Sequence, residues 1–407
     1  EAKKRDHRKL GRELGLFMMH EYAPGATFWL PKGEVLYHAL AESMRTELLR
    51  EGYVAVRTPM LFDTALWHTS GHWAHYRDNM FKIDKHEEGD EHVRTYALKP
   101  MNCPSHMLVF GSAKRSYREL PMRVHDQGVL HRDEVRGALG GLTRVRQFSQ
   151  DDAHLFVMES QIEDEVRGII SLINRIYGAF DLGYKAKLST RPAEKLGDDA
   201  LWDAAEGALR GALESNGLAY TVNEGDGAFY GPKIDFDVVD ALGRAWQCAT
   251  IQLDYQLPRR FELSYVGADN GAHVPVVIHR AIFGSFERFI GILIEHYAGN
   301  FPFWLAPEQV RVLTVSEKAE SWGREVLGAL RAAGIRTELD AGADKIGAKI
   351  RAAHHDRPFY MLVLGEKEQE NGTVSVRGRG ENNTVGTFTL AEFVARCQAE
   401  SRPPFGA

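Results

Sequence analysis

Apolar positions along the chain recur with two different periods, and the changes between them outline its organisation. Over 31–51, Leu36, Leu40, Met44 and Leu48 recur every fourth residue and fall along one stripe of a helix. Residues 1–20 carry a similar amphipathic pattern and are expected to be helical up to the turn Pro24-Gly25-Ala26. From 53 to 157 the spacing changes. Short runs rich in Val, Phe and Tyr are separated by turns, as an antiparallel sheet requires. Helical spacing returns over 162–180 and 199–217, residues 219–256 alternate again as sheet, and 283–297 closes this part as a helix.

The segment FPFWLAPEQV, residues 301–310, breaks the periodicity with two prolines and bulky apolar side chains. Beyond it the pattern runs strand, helix, strand, helix, strand: VRVLTV, AESWGREVLGALRAAG, IRTELD, KIGAKIRAAHHD, YMLVLG. Alternation at this spacing predicts a small α/β unit with a largely parallel sheet. The expected division is therefore 1–303 and 304–407, with no internal repeat or low-complexity segment.

Composition adds limits rather than detail. A hydrophobic content of 44% over 407 residues is enough for a sizeable core. The net charge of −6 argues against a general nucleic-acid coat protein but leaves room for a local basic patch. No apolar run reaches the roughly 18 residues needed to span a membrane, and no signal-peptide pattern opens the chain. Cys103, Cys248 and Cys397 are too few and scattered for a disulfide framework, so a reducing, cytoplasmic setting is expected. The missing Met at position 1 and the immediate charged helical pattern suggest a fragment of a longer protein.

The most informative chemistry lies between His131 and Phe156, HRDEVRGALGGLTRVRQFSQDDAHLF. Two basic arms, Arg132 and Arg144-Val145-Arg146, flank the glycine-rich turn 137–141. Guanidinium groups on either side of a tight antiparallel turn offer paired donors to a phosphate. Phe148, two residues past Arg146, is placed to stack on a purine. The pattern Arg132-x-Glu134 … Arg144-x-Arg146-x-Phe148 resembles motif 2 of the class II aminoacyl-tRNA synthetases. The QDDAHLF that follows resembles the threonyl-tRNA synthetase family in particular. GSFERFIGILIE, carrying Arg288, resembles motif 3, and the helix and strand ending at Pro59 resemble motif 1, used for dimerisation. The class I signals HIGH and KMSKS are absent, as is a P-loop.

The resemblance implies an α+β catalytic domain, with a class II synthetase antiparallel sheet flanked by helices, and a C-terminal α/β anticodon-binding domain. It implies activation of L-threonine with ATP and Mg2+, transfer to tRNA(Thr), and a homodimer. Arg132 then stabilises charge on the α-phosphate, Glu134 reads the adenine amino group, Phe148 stacks on the ring, and Arg144 and Arg288 hold the γ-phosphate end. Gln247 and Thr250 belong to the ATP site by the same resemblance. Gln150, Asp152, Tyr230, Lys233, Gln252 and Ser285 belong to the threonine site, Asp152 accepting the hydroxyl proton. For Tyr230, Lys233, Gln247, Thr250 and Gln252, alternation along FYGPKIDF and WQCATIQLD suggests one face of a sheet, a face that could equally be solvated. His72, in TSGHWAHY, matches the histidine implicated in deprotonating the tRNA ribose; loop ordering is its plain alternative. The charged segment KIDKHEEGDEHVRTY reads as a solvated hairpin tip.

Cys103, His154 and His279 sit on what read as separate strands, with no local metal-ligand spacing. On residues alone each is equally a buried hydrophobe or a core histidine, since 17 histidines allow many such combinations. The resemblance singles them out as ligands of a zinc ion (Zn2+) with an open coordination position. Zinc contacting the threonine amino and hydroxyl groups rejects valine, which a hydrophobic pocket alone separates only about 100-fold. Serine keeps both groups and loses one methyl, worth roughly 1–3 kcal/mol, and no separate editing domain is visible in the chain. In the C-terminal part Glu368 and Arg377 match anticodon-contacting positions. The run Gly342-Ala343-Asp344-Lys345-Ile346 departs from the family's R-N-E-K-I and puts one anticodon contact in doubt. Two other readings stand beside this one. A non-catalytic RNA-binding regulator would show decayed motifs 2 and 3, which are intact. A zinc hydrolase would need a glutamate at H-E-x-x-H spacing, which is absent, and leaves the arginines unexplained.

Overall fold

The computed structural model describes residues 2–86, 93–240, 242–380 and 383–405. The chain forms two compact units, one of 19–27 and 44–292, the other of 1–18, 28–43 and 293–407. The expected single helix over 1–20 is broken. Ala2–Arg5 and His7–Glu13 are separate helices, Asp6 capping the second through the Arg8 amide, and strand Phe17–Met18 follows. Gly15, at φ 64°, takes a conformation that no continuing right-handed helix allows. Helix Pro31–Arg50 forms as its spacing requires, and Leu36, Leu40, Met44 and Leu48 are all buried.

The first unit is organised by an eight-stranded sheet. Its order is Tyr220–Asn223, Gly183–Ser189, Lys233–Val239, Ala245–Asp254, Val276–Ala281, Asp152–Val157, Met122–Asp126, Val54–Ala55. Every inner pairing is antiparallel, while the outermost pair at each edge is parallel. Helices Ile162–Ala179 and Asp199–Ser215 pack against strand Ala245–Asp254. The first of these puts Val166, Ile169, Ile170, Ile173 and Ile176 on its buried face.

The stretch 53–157 is less purely sheet than its alternation suggests. Helices Ala65–Ser70, His72–Tyr76 and Cys103–Gly111 interrupt it. Pro104 fits the first turn of the last helix, and Cys103, Met107 and Phe110 recur at helical spacing on its buried face. Cys103 therefore opens a helix rather than sitting on a strand. Strands Lys82–His86 and Val93–Leu98 pair antiparallel, as the expected hairpin requires; its tip, 87–92, lies outside the described residues.

In the second unit a five-stranded sheet is parallel across Thr337–Asp340, Val310–Thr314 and Tyr360–Leu364. Thr373–Arg377 and Thr384–Thr389 then add antiparallel, so the largely parallel pattern covers three strands of five. Among the described residues no helix is long and apolar enough to cross a membrane.

Candidate active site

Strand register assembles the candidate residues. Lys233 lies opposite Gln252, Gln252 opposite His279, and His279 opposite His154, so four side chains cross four strands in one row. Residues directly opposite share a sheet face. The next row on that face holds Asp235, Thr250 and Ala281, with Asp152 two residues before His154. Simple alternation would send Gln247 to the opposite face from Thr250. It does not, because the register shifts after Phe236 and Asp237 pairs with Gln247 rather than Cys248. That bulge returns Gln247 to the side of Thr250, and both line the same cleft. Tyr230 precedes its strand, its ring 5.0 Å from that of His279.

The cleft has a volume of about 360 Å3 and is lined by Arg132, Glu134, Arg144, Phe148, Gln150, Gln247, Thr250, Ser285 and Arg288. Strands Val129–His131 and Gln147–Ser149 pair antiparallel and present the two basic arms from one hairpin. Each arginine is tethered. Arg132 Nε donates to the Pro100 carbonyl (3.2 Å), Arg288 to the Thr143 and Gln247 carbonyls (both 3.0 Å), and Arg144 pairs with Glu134 (3.0 Å). Burial, with Arg132 and Arg144 close by, lowers the Arg288 pKa, so positive charge is crowded where a polyanion would relieve it. The Arg132 guanidinium lies over the Phe148 ring at 4.9 Å. Gln150 and Ser285 face each other in an isolated antiparallel bridge at the cleft wall.

Beside the cleft, the ligand atoms of Cys103, His154 and His279 all lie within 4.8 Å of one another, and all three residues are buried. His279 Nε2 bonds Asp254 Oδ2 at 2.8 Å, and His154 Nδ1 bonds His106 Nδ1 at 2.7 Å. Burial pushes the Cys103 thiol up and the His154 imidazole down, so both rest neutral until a cation displaces the thiol proton. One sulfur and two imidazoles, each imidazole already engaged through its other nitrogen, suit zinc. Asp152 accepts from Asn102 Nδ2 at 3.0 Å, and burial raises its pKa. His72 is fully buried, with Nδ1 2.8 Å from Ser70 Oγ and Nε2 3.7 Å from the Cys103 sulfur. Burial pushes it down to about 3, so the ring rests neutral and binds a proton only weakly.

Three supporting residues were missed in the sequence. Asp235 accepts from Gln247 Nε2 (2.6 Å), Thr250 Oγ1 (3.0 Å) and Ser189 Oγ (2.9 Å), and pairs with Lys233 at 3.0 Å. Asp254 and His106 orient the two histidines. His106 follows Cys103 by three residues on one helix, and Asp254 follows Gln252 by two on one strand; those spacings were the available signals. The other unit holds Glu368 and Arg377. Glu368 accepts from the Gly365 amide and from Ser375 Oγ, both at 2.9 Å, and Arg377 lies two residues beyond Ser375 on the same strand face. In the departing segment the Gly342 amide bonds Asp340 Oδ1 at 3.0 Å.

An antiparallel sheet carrying an arginine-lined cleft between a basic hairpin and the helix of Arg288 defines the class. The sequence pattern of the tRNA synthetase class II core domain (G, H, P, S and T) matches residues 81–297, over half of the chain, and that of an anticodon binding domain matches 309–400. Threonine–tRNA ligase of Anaeromyxobacter dehalogenans is 56% identical over all of this chain, which spans 63% of that relative's length. That of Myxococcus xanthus is 53% identical over 99% of this chain and 62% of its own. The RNA-binding domain of threonyl-tRNA synthetase from Cryptosporidium parvum superimposes with a TM-score of 0.93 at 44% identity, covering 97% of this chain and 98% of that one. The chain belongs to the threonyl-tRNA synthetase family.

Proposed function

We propose that this chain carries out ATP-dependent activation of L-threonine and its transfer to tRNA(Thr), with 1–303 as the catalytic part and 304–407 as the anticodon-binding part. The observation that carries the reading is the continuity of two sites on one sheet face. The row ending in His279 and His154 lies one register step from Thr250 and Ala281, which line the arginine cleft.

In the cleft, Arg132 stabilises the charge that grows on the α-phosphate as the threonine carboxylate attacks. Arg144 and Arg288 hold the far phosphates with Mg2+, Glu134 and Phe148 receive the adenine, and Gln247 and Thr250, both tethered to Asp235, fix the nucleotide. Positioning and fixed charge do most of this work. Cys103, His154 and His279 would hold zinc, which supplies a Lewis acid for the amino and hydroxyl groups of threonine. Asp152 accepts the hydroxyl proton, and Gln150, Tyr230, Lys233, Gln252 and Ser285 bound the amino-acid side. His72 then accepts the proton of the attacking ribose hydroxyl.

Glu368 and Arg377 read anticodon bases, the arginine by paired donors to guanine. The working form is a cytoplasmic homodimer built through the segment ending at Pro59, with no membrane partner. ATP–pyrophosphate exchange with single amino acids tests the core of this reading. Threonine should support exchange, serine measurably, and valine hardly at all, because only valine lacks the hydroxyl. Absence of threonine-dependent exchange would sink it. Seryl-tRNA(Thr) made by these 407 residues should persist; rapid hydrolysis on adding the chain to preformed seryl-tRNA(Thr) would reveal an editing activity.

A further inference from the structure

We infer that Asp254 and His106 set the ring tautomers of the two histidines, so that His279 presents Nδ1 and His154 presents Nε2 to a bound metal. The inference rests on the zinc reading above. A neutral imidazole carries one N–H and one lone pair, and only the lone-pair nitrogen ligates. Which nitrogen that is depends on what the other one meets.

For His279 the partner is a carboxylate that cannot turn away. Asp254 is fully buried, and its Oδ1 already accepts from the Gln256 and Leu257 amides at 2.7 and 3.0 Å. Its Oδ2, 2.8 Å from His279 Nε2, therefore demands the proton there and leaves the lone pair on Nδ1.

For His154 the same result comes through a second imidazole. Two Nδ1 atoms face each other at 2.7 Å, so one donates and the other accepts. Were His154 to accept, its own proton would sit on Nε2 and no nitrogen would remain for a metal. Ligation needs His154 to donate, which puts the proton of His106 on its Nε2. That atom is buried, has no hydrogen-bond partner among the described residues, and has Asp126 Oδ2 at 3.8 Å. A carboxylate at that distance favours an N–H over a lone pair. Asp126 is itself fixed, accepting from Thr58 Oγ1 at 2.9 Å beside Lys99 at 3.6 Å. The orphaned nitrogen of His106 thus acquires a reason: its proton points at Asp126 so that its lone pair can hold His154.

The test is the zinc dissociation constant of the purified chain, by competition with a chromophoric chelator, alongside thermal unfolding of the metal-stripped form. Asp254→Asn keeps an oxygen for the two amides but turns a donor toward His279, which enforces the non-ligating tautomer. Zinc affinity should fall roughly 10- to 100-fold, the usual cost of losing an outer partner, with metal-free unfolding unchanged. His106→Leu should weaken zinc similarly, and His106→Gln, whose carbonyl oxygen accepts from His154, should recover most of the loss. Wild-type affinity in Asp254→Asn and His106→Leu would overturn the inference. So would a loss matched by equal destabilisation of the metal-free chain. A wild-type chain that binds no stoichiometric zinc would instead bring down the metal reading itself.

Discussion

The two candidate recognition sites are built in opposite ways. On the central sheet, Cys103, Asp152, His154 and His279 are each at most 9% exposed, and Asp152, His154 and His279 are each held by a hydrogen bond before any ligand arrives. In the C-terminal unit Glu368 and Arg377 are only half-buried, and Glu368 is held by near neighbours, Gly365 and Ser375. Small substrates that differ by a methyl or a hydroxyl need a dry, fixed pocket, because an unpaired buried polar group is what rejects the wrong one. A folded RNA must approach from outside, so the groups that read it stay accessible.

The largest expected effect isolates one step of the buried site. His72→Ala should slow transfer to tRNA by roughly 100- to 10,000-fold in single-turnover charging while leaving pyrophosphate exchange nearly intact. Equal losses in both would mean that His72 matters through its contact with the Cys103 sulfur. Next, Arg288→Ala should cut threonine-dependent exchange by about 100- to 1,000-fold, the cost of one fixed donor to transition-state charge. An unchanged exchange rate would remove Arg288 from the cleft chemistry.

The exposed site should respond more gently and in a different assay. Arg377→Ala should lower kcat/KM for tRNA about tenfold, within the roughly 1–3 kcal/mol of a paired base contact, and leave exchange untouched. A loss of exchange would show that the two sites are not separable in this way.

The smallest effect concerns a buried acid next to Arg288 in the chain. Glu287 is buried, its carboxylate accepts the Ser149 amide at 3.1 Å, and burial pushes it up to about 8. As pH rises the unfolded chain loses this proton first, near 4.5, while the folded chain keeps it until about 8. Its stabilising contribution is therefore full below the lower value and is lost as pH climbs through the higher one. Glu287→Gln should match wild-type Tm at pH 4 and exceed it by a few degrees at pH 8, roughly 2–4 °C per kcal/mol recovered. A Tm difference that does not change with pH would mean that Glu287 is ionised throughout.

Much of this was legible in the chain because its signals are local. The stripe Leu36, Leu40, Met44, Leu48 needs only a helical period, and the strand–helix alternation after 310 needs only its spacing. The arginines of motif 2 sit on one hairpin, so their proximity follows from a turn. The errors arose where local patterns were ambiguous. Amphipathic spacing over 1–20 concealed the break at Asp6 and Gly15, and the apolar run after Cys103 read as strand although it forms a helix.

Sequence by itself determined most of the elements, the order of the motifs and the residue types that chemistry needs, since propensity, period and side-chain reactivity belong to each residue and its near neighbours. Only the tertiary structure decided that Lys233, Gln252, His279 and His154 form one row, that a skipped residue at Cys248 turns Gln247 into the cleft, and that Asp254 and His106 stand behind the two histidines. The reason is physical. Strand register and bulge position depend on pairing between distant segments, and a shift of one residue would send every one of those side chains to the other face.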